Sequence, residues 1–128
     1  MPLKLSLRPS EAVIVNGAVM RNGDRRGVIV VENQAKILRE KDVVFPEEIN
    51  TLVQHAYFAI MQMYLTGETD SGLYDDAMNV LADLVATSQD DILTQRALDV
   101  SILLAEDRIY NALSKCRQMM KAAGGQNG

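Results

Sequence analysis

The sequence predicts an α+β fold: a small antiparallel β-sheet or half-barrel at the N-terminus, followed by a three-helix C-terminal module with a long last helix. Up to about residue 44, apolar residues alternate with polar ones or form short runs, which is typical of strands. Beyond residue 45 they recur at intervals of three and four, which is typical of helices. The charge changes at the same place. Residues 1–41 hold eight basic and four acidic residues, a net charge of +4, whereas residues 42–128 hold five and thirteen, a net charge of −8.

These changes divide the 128 residues into a basic β-rich module (residues 1–44), an acidic helical module (45–122) and a flexible tail (123–128). No apolar run reaches the roughly 18 to 20 residues that a membrane span needs, and the N-terminus lacks the apolar core of a signal peptide. A single cysteine excludes an internal disulfide, which suits a reducing compartment. We therefore expect a cytoplasmic protein that does not associate with membranes.

Short strands are predicted in the first module. Leucines at positions 3, 5 and 7 alternate with polar residues and indicate the first strand. The run "AVIV" ends at Asn16-Gly17, whose residue types favour a type I′ hairpin turn, and "AVMR" would return from it. A second turn at residues 22–24 leads into "GVIVV", whose continuous apolar character suggests a strand covered on both faces. With "AKILR" this makes four to five strands, arranged as a meander or a half-open barrel.

Three helices are expected in the second module. Pro46 suits the first position of a helix, so the first helix is expected to begin there. Asp70 or Ser71 is the expected cap of the second helix. The third is expected over residues 90–122, and at 1.5 Å per residue it would be roughly 50 Å long.

The long last helix carries a heptad pattern. Apolar residues at alternating spacings of four and three predict a seam for a homo-oligomer or a helical partner. The residues of this seam are Leu98, Ile102, Ala105, Ile109, Ala112, Cys116 and Met119.

No catalytic pattern is present, so the sequence predicts neither an enzyme nor a cofactor. Glycine-rich phosphate loops are missing, and adjacent aspartates on a helix point about 100° apart. One histidine and one cysteine do not make a structural zinc set, so no metal site is expected. His55 is expected to be a partly exposed surface residue and Cys116 a buried thiol.

Basic residues concentrate in the first module and could contact the phosphates of an RNA. The candidate RNA-binding residues are Arg21, Arg25, Arg26, Lys4, Arg8, Lys36 and Arg39. Residues 1–41 contain no aromatic residue, so the usual platform for stacking bases is missing. The alternative is a solvated hairpin tip, in which the arginines of residues 21–26 pair with Asp24 and Glu32.

Four short stretches, in this order and spacing, resemble the FlbT family of flagellin post-transcriptional repressors: "PLKLSL", "NGAV", "NGDRR" and "ILRE". The helical part, beginning with "FPEE", resembles the family more loosely in its plan. The resemblance implies a regulator of flagellum assembly that binds the 5′ untranslated region of flagellin mRNA and represses its translation or promotes its decay. It also implies a link to FlaF, a small flagellar protein, and to flagellin itself. An adaptor or chaperone-like partner of flagellin or FlaF, with only an indirect effect on the mRNA, is the alternative.

Overall fold

The structure is a computed structural model that describes residues 2–68 and 72–125. The chain divides into two compact units, Met1–Val43 (unit 1) and Val44–Gly128 (unit 2). The predicted α+β class is confirmed, because the strands of the described residues lie in unit 1 and their α-helices lie in unit 2. Within these residues, no helix combines the length and the apolar character that crossing a membrane requires.

Unit 1 contains two small antiparallel sheets. Its strands are β1 (Leu3–Leu7), β2 (Ala12–Val15), β3 (Ala18–Arg21), β4 (Gly27–Val31) and β5 (Ile37–Arg39). One sheet pairs β1 with β4, and the other has the order β3-β2-β5. The antiparallel pairing is confirmed, but the meander is wrong, since β1 pairs with β4 and not with its neighbour in sequence.

The core of unit 1 lies between residues that alternate along the strands. Leu5, Leu7 and Val13 are buried, and Val15, Ile29, Val31 and Ile37 pack against them. On β4 the intervening Val28 is 60% exposed, so the expectation that this strand is covered on both faces is wrong. Only one face of the two-stranded sheet is packed, as the period of two in strand geometry dictates.

The predicted hairpin between β2 and β3 is confirmed. Asn16 and Gly17 have φ of 50° and 85°, the left-handed values that a type I′ turn requires at both central positions. Val15 pairs with Ala18 across this turn, which sets the register of the whole hairpin.

Unit 2 contains four α-helices in its described part. They are α1 (Leu52–Thr66), α2 (Gly72–Thr87), α3 (Asp91–Ala105) and α4 (Ile109–Gly125). The expected start of the first helix at Pro46 is wrong, because Pro46–Glu48 forms only a short 3-10 turn. The side chain of Thr51 accepts a hydrogen bond from the backbone of Gln54, and this capping box begins α1. The caps expected for the second helix, Asp70 and Ser71, lie outside the described residues.

The single helix expected over residues 90–122 is wrong, because the chain turns between α3 and α4. Asp107 adopts a left-handed φ of 60°. The backbone N–H of Arg108 donates to the carbonyl of Leu103, and that of Asp107 donates to Leu104, at 2.9 and 3.0 Å. These two bonds form a Schellman motif, which satisfies the last carbonyls of α3 and ends it without glycine or proline.

The helices of unit 2 pack in a ring, in which α1 contacts α2 and α4, and α3 also contacts α2 and α4. The face of α4 that carries Ala112, Cys116 and Met119 is buried in this core. Leu98 and Ile102 on α3 remain exposed, at 42% and 55%. The continuous heptad seam is therefore wrong. The break at residues 106–108 divides it into an outward part on α3 and an inward part on α4.

The C-terminus departs from the expected boundary at residue 122, since α4 extends to Gly125. The rest of the predicted flexible tail, residues 126–128, lies outside the described residues.

Candidate nucleic-acid interface

Two connecting loops, residues 8–11 and 22–26, are held together at one end of unit 1. The amide nitrogen of the Asn22 side chain donates to the carbonyls of Arg8 and Arg25, at 2.9 and 2.8 Å. The backbone N–H of Ser10 donates to the carbonyl of Gly23 at 2.8 Å. One asparagine thus ties the loop after β1 to the loop before β4, and the arginines of both loops share a rigid base.

The loop of residues 8–11 is a tight turn that is closed twice. The backbone N–H of Glu11 donates to the carbonyl of Arg8, and the carboxylate of Glu11 accepts from the N–H of Arg8 at 2.8 Å. Pro9 at the second position and a φ of 63° at Ser10 are features of a type II turn. The hydrogen bond from the Arg8 backbone, together with the charge of Arg39, lowers the pKa of Glu11 despite the opposing effect of burial.

Arg21 makes contacts at this end of the unit, although its side chain is 58% exposed. Its guanidinium donates to the carbonyl of Ser10 at 2.6 Å and lies 3.6 Å from the carboxylate of Glu40. The same carboxylate accepts from the backbone N–H of Ala12 at 2.8 Å. Arg21 therefore links the first loop to the end of β5.

Arg39 is a second brace. Its guanidinium donates to the carbonyl of Ser6 at 3.0 Å and to the carboxylate of Glu11 at 3.3 Å. Its side chain is largely covered, so little of its charge faces solvent.

Arg8, Arg25 and Arg26 are exposed at this loop end, as is Arg21, but they differ from Arg21 in their contacts. Their side chains make neither an ion pair nor a hydrogen bond to any other residue of the described ranges. We call these three residues the arginine cluster. The backbone that carries them is fixed by the bonds of Asn22 and Glu11, while their guanidinium groups remain available for a ligand.

The other two candidate residues lie elsewhere in unit 1. The carbonyl of Lys36 accepts from the backbone N–H of Asn16, so Lys36 lies beside the β2–β3 turn, at the far end of β2. Lys4 is in β1, opposite Val30 of β4, on the exposed face of that sheet. One basic residue was missed by the sequence analysis: Lys41, which lines a shallow open groove with Arg8 and Pro9. Only the basic composition of residues 1–41 pointed to it.

The proposed pairing of the arginines with Asp24 and Glu32 is wrong. Neither carboxylate lies within ion-pair distance of a basic group in the described part of the chain, and the acidic neighbour of Arg21 is Glu40. Asp24 is exposed in the same loop as Arg25 and Arg26.

In unit 2, the titratable residues singled out from the sequence have structural surroundings. His55 is partly exposed, as predicted, and its Nε2 lies 3.1 Å from the carboxylate of Asp76. Cys116 is buried, as predicted, and burial raises the pKa of its thiol to about 12. A thiolate, the reactive form of cysteine, is therefore disfavoured at neutral pH. Within residues 2–68 and 72–125, no group of three or more His, Cys, Asp and Glu side chains could hold a metal ion.

Comparison with known proteins identifies the family. The family model for "Flagellar protein FlbT" matches residues 3–123. The "Flagellum biosynthesis repressor protein FlbT" of Caulobacter vibrioides is 37% identical over 121 residues, which cover 94% of this chain and 86% of the relative. The probable repressor of Caulobacter sp. strain K31 is 38% identical over 94% of this chain and 92% of its own, and that of Rhodopseudomonas palustris is 31% identical over 94% of each.

No solved structure matches the chain. The family match over nearly the whole sequence is decisive: the chain belongs to the flagellar protein FlbT family.

Proposed function

We propose that this protein is a cytoplasmic repressor of flagellum biosynthesis that binds the 5′ untranslated region of flagellin mRNA and lowers its translation or lifetime. Membership of the FlbT family and the names of its relatives support the regulatory role. The observation that carries the RNA part is the arginine cluster: three exposed guanidinium groups without an ion pair among the described residues, on two loops tied together by Asn22.

The cluster suits the backbone of a flexible RNA. A guanidinium can donate two parallel hydrogen bonds to one phosphate, and several such contacts release the counterions that surround a nucleic acid. Because the loop backbone is already fixed, binding would order only the arginine side chains, which limits the entropic cost of binding. Residues 1–41 contain no aromatic residue, so base recognition would depend on guanidinium planes and on backbone groups.

The experiment measures binding of a flagellin leader RNA as a function of salt. In the variant R8Q/R25Q/R26Q we expect at least a tenfold loss of affinity near physiological salt. The slope of log K against log salt should become shallower by about 0.7 for each phosphate of a single-stranded RNA that the variant no longer neutralises. Arg21 is left intact because it braces the fold, and its removal would confuse a structural defect with weaker RNA recognition.

The matched control is R96Q/R108Q/K121Q, which removes the same charge from unit 2, where no candidate RNA-binding residue lies. This variant should keep most of the affinity and of the slope. Equal losses in both triple variants would mean that net charge, and not the cluster, governs binding. RNA affinity that is unchanged in R8Q/R25Q/R26Q would contradict direct recognition by these residues.

A second candidate function is that of a protein-binding adaptor, and the exposed Leu98 and Ile102 favour it. These residues lie one turn apart on α3 and form an apolar strip on the outside of unit 2, of the kind that docks an amphipathic helix. If the strip binds flagellin or a FlaF-like protein, L98D/I102D should abolish that complex while leaving RNA affinity unchanged. Loss of the complex together with unaltered RNA binding in R8Q/R25Q/R26Q would favour the adaptor over the RNA-binding repressor.

A further inference from the structure

The edge strand β3 is the most exposed regular element of unit 1. All four of its residues, Ala18–Arg21, are exposed, and Val19 is 68% exposed. One side of β3 pairs with β2, while its other side has no strand beside it in the described sheets. An exposed edge of this kind is a template for another strand.

The hairpin register shows which backbone groups point outward. In a two-residue hairpin the residues that flank the turn, Val15 and Ala18, exchange hydrogen bonds, and this alternates along the strands. The same alternation predicts that Glu11 and Asn22 form a hydrogen-bonded pair, and the backbone N–H of Asn22 does donate to the carbonyl of Glu11. The backbone N–H and C=O groups of Ala18 and Met20 therefore point towards β2, whereas those of Val19 and Arg21 point away from it. No residue of the described ranges bonds to these four groups.

This edge lacks the features that keep edge strands apart. Isolated edges usually carry charged residues, proline or a bulge. In β3 the stretch Ala18–Met20 has none of these, and the one charged residue, Arg21, is 58% exposed but donates its guanidinium to the carbonyl of Ser10. By contrast, β1 carries Lys4, and β4 is half-buried at alternate positions.

We infer that the open edge of β3 pairs with β3 of a second copy of this chain, antiparallel and about a two-fold axis at Met20. In this register Val19 of one copy lies opposite Arg21 of the other, and their outward groups form four inter-strand hydrogen bonds. The identical strand satisfies all four groups of each copy at once. The register with Arg21 opposite Arg21 would instead place like charges together, which is destabilising.

Pairing in this register joins the two three-stranded sheets into one sheet of order β5-β2-β3-β3-β2-β5. Because the strands run in opposite directions, the two arginine clusters lie towards opposite ends of the shared β3 pair. Four residues per copy make a small contact compared with the roughly 1,200 Å² of a standard stable interface, so the association is reversible and concentration-dependent. The inference does not rest on the proposed RNA contact. It adds that the assembled form presents two clusters to one ligand.

A cross-linking experiment tests the predicted axis. Residues opposite each other at a non-hydrogen-bonded position have Cα atoms about 4.5 Å apart, which a disulfide can bridge. M20C should therefore form a covalent dimer under mild oxidation at least tenfold faster than V28C, although Val28 on β4 is the more exposed of the two sites. The native Cys116 is buried and does not compete. Equal rates for M20C and V28C would overturn the inference.

Charge variants test the register in solution by sedimentation or light-scattering mass over a concentration series. V19K places a lysine opposite Arg21 of the second copy and should weaken dimerisation at least tenfold, whereas V19E places an opposite charge there and should preserve it. V28K is the control and should dimerise like the parent chain. Circular dichroism checks that each variant is folded. A parent chain that stays monomeric throughout, or V19K and V19E variants that behave alike, would overturn the inference, whatever the outcome of the RNA measurement.

Discussion

At the scale of single residues, the arginines of unit 1 have different roles that depend on their contacts. Arg21 and Arg39 donate to backbone carbonyls and lie beside carboxylates, so they stabilise the loop end of the unit. Arg8, Arg25 and Arg26 have the same chemistry and are exposed, and their side chains make no hydrogen bond or ion pair among the described residues, although the charge of Arg8 also helps to lower the pKa of Glu11. The sequence grouped Arg21, Arg25 and Arg26 correctly as basic and close in the chain. It did not distinguish a brace from a ligand-binding group, because the difference lies in partners such as Ser10 and Glu40 that are distant in sequence.

Glu11 should make the stability of unit 1 depend on pH. Hydrogen bonding to the Arg8 backbone lowers the pKa of Glu11 in the folded state below its ordinary value of 4.5. The folded state thus favours the carboxylate. This contribution to stability is present above pH 4.5 and is lost as the pH falls through the lower folded pKa. We expect E11Q to be less stable than the parent chain at pH 7 and the difference to shrink at an acid pH below 4.5. Urea unfolding at both pH values measures this, and a difference that does not shrink in acid would contradict it.

At the scale of secondary-structure elements, boundaries depend on local hydrogen bonds that apolar periodicity does not reveal. The start of α1 had a signal in the sequence, since Thr51 and Gln54 have the spacing of a capping box, whereas Pro46 favoured an earlier start. The break between α3 and α4 had a weaker signal. Asp107 adopts the left-handed conformation without being a glycine, and the apolar spacing continues on both sides of it.

Substitutions at Asp107 distinguish a helix end from a helix interior. At a left-handed position glycine relieves the steric cost of Cβ, so D107G should raise the free energy of unfolding by about 0.5–1 kcal/mol. D107V should lower it by about 1–2 kcal/mol, because a β-branched residue fits that conformation poorly. Chemical denaturation of both variants gives the comparison. If residues 90–122 formed one continuous helix, the sign for glycine would be reversed.

At the scale of the whole molecule, the division into two compact units agrees with the change in charge and period along the chain. Each unit has its own buried cluster, which contains Val13 in unit 1 and Leu113 in unit 2, both 0% exposed. Neighbours in sequence are not always neighbours in space. In unit 1, β1 pairs with β4, and in unit 2, α1 contacts α4. Each of these contacts joins residues that are far apart in the chain.

Core substitutions should act on the unit that contains them. L113A should lower the free energy of unfolding by about 2–5 kcal/mol, since it leaves a cavity at a fully buried position. Hydrogen exchange should then accelerate in peptides from α1 to α4. V13A, the matched change in unit 1, should accelerate exchange in β1 to β5. Acceleration of both sets of peptides by either variant would show that the two units unfold together.

The sequence by itself determined the features that depend on local chemistry. Alternation and helical spacing indicated the α+β class, Asn16-Gly17 indicated the hairpin turn, and short motifs indicated the FlbT family. The tertiary structure alone decided which strands pair, where the long apolar run is divided, and which arginines remain available. These outcomes depend on contacts between distant residues. The carbonyl of Ser10 engages Arg21, Asn22 joins two loops, and the core of unit 2 covers one half of the heptad pattern while leaving Leu98 and Ile102 in solvent.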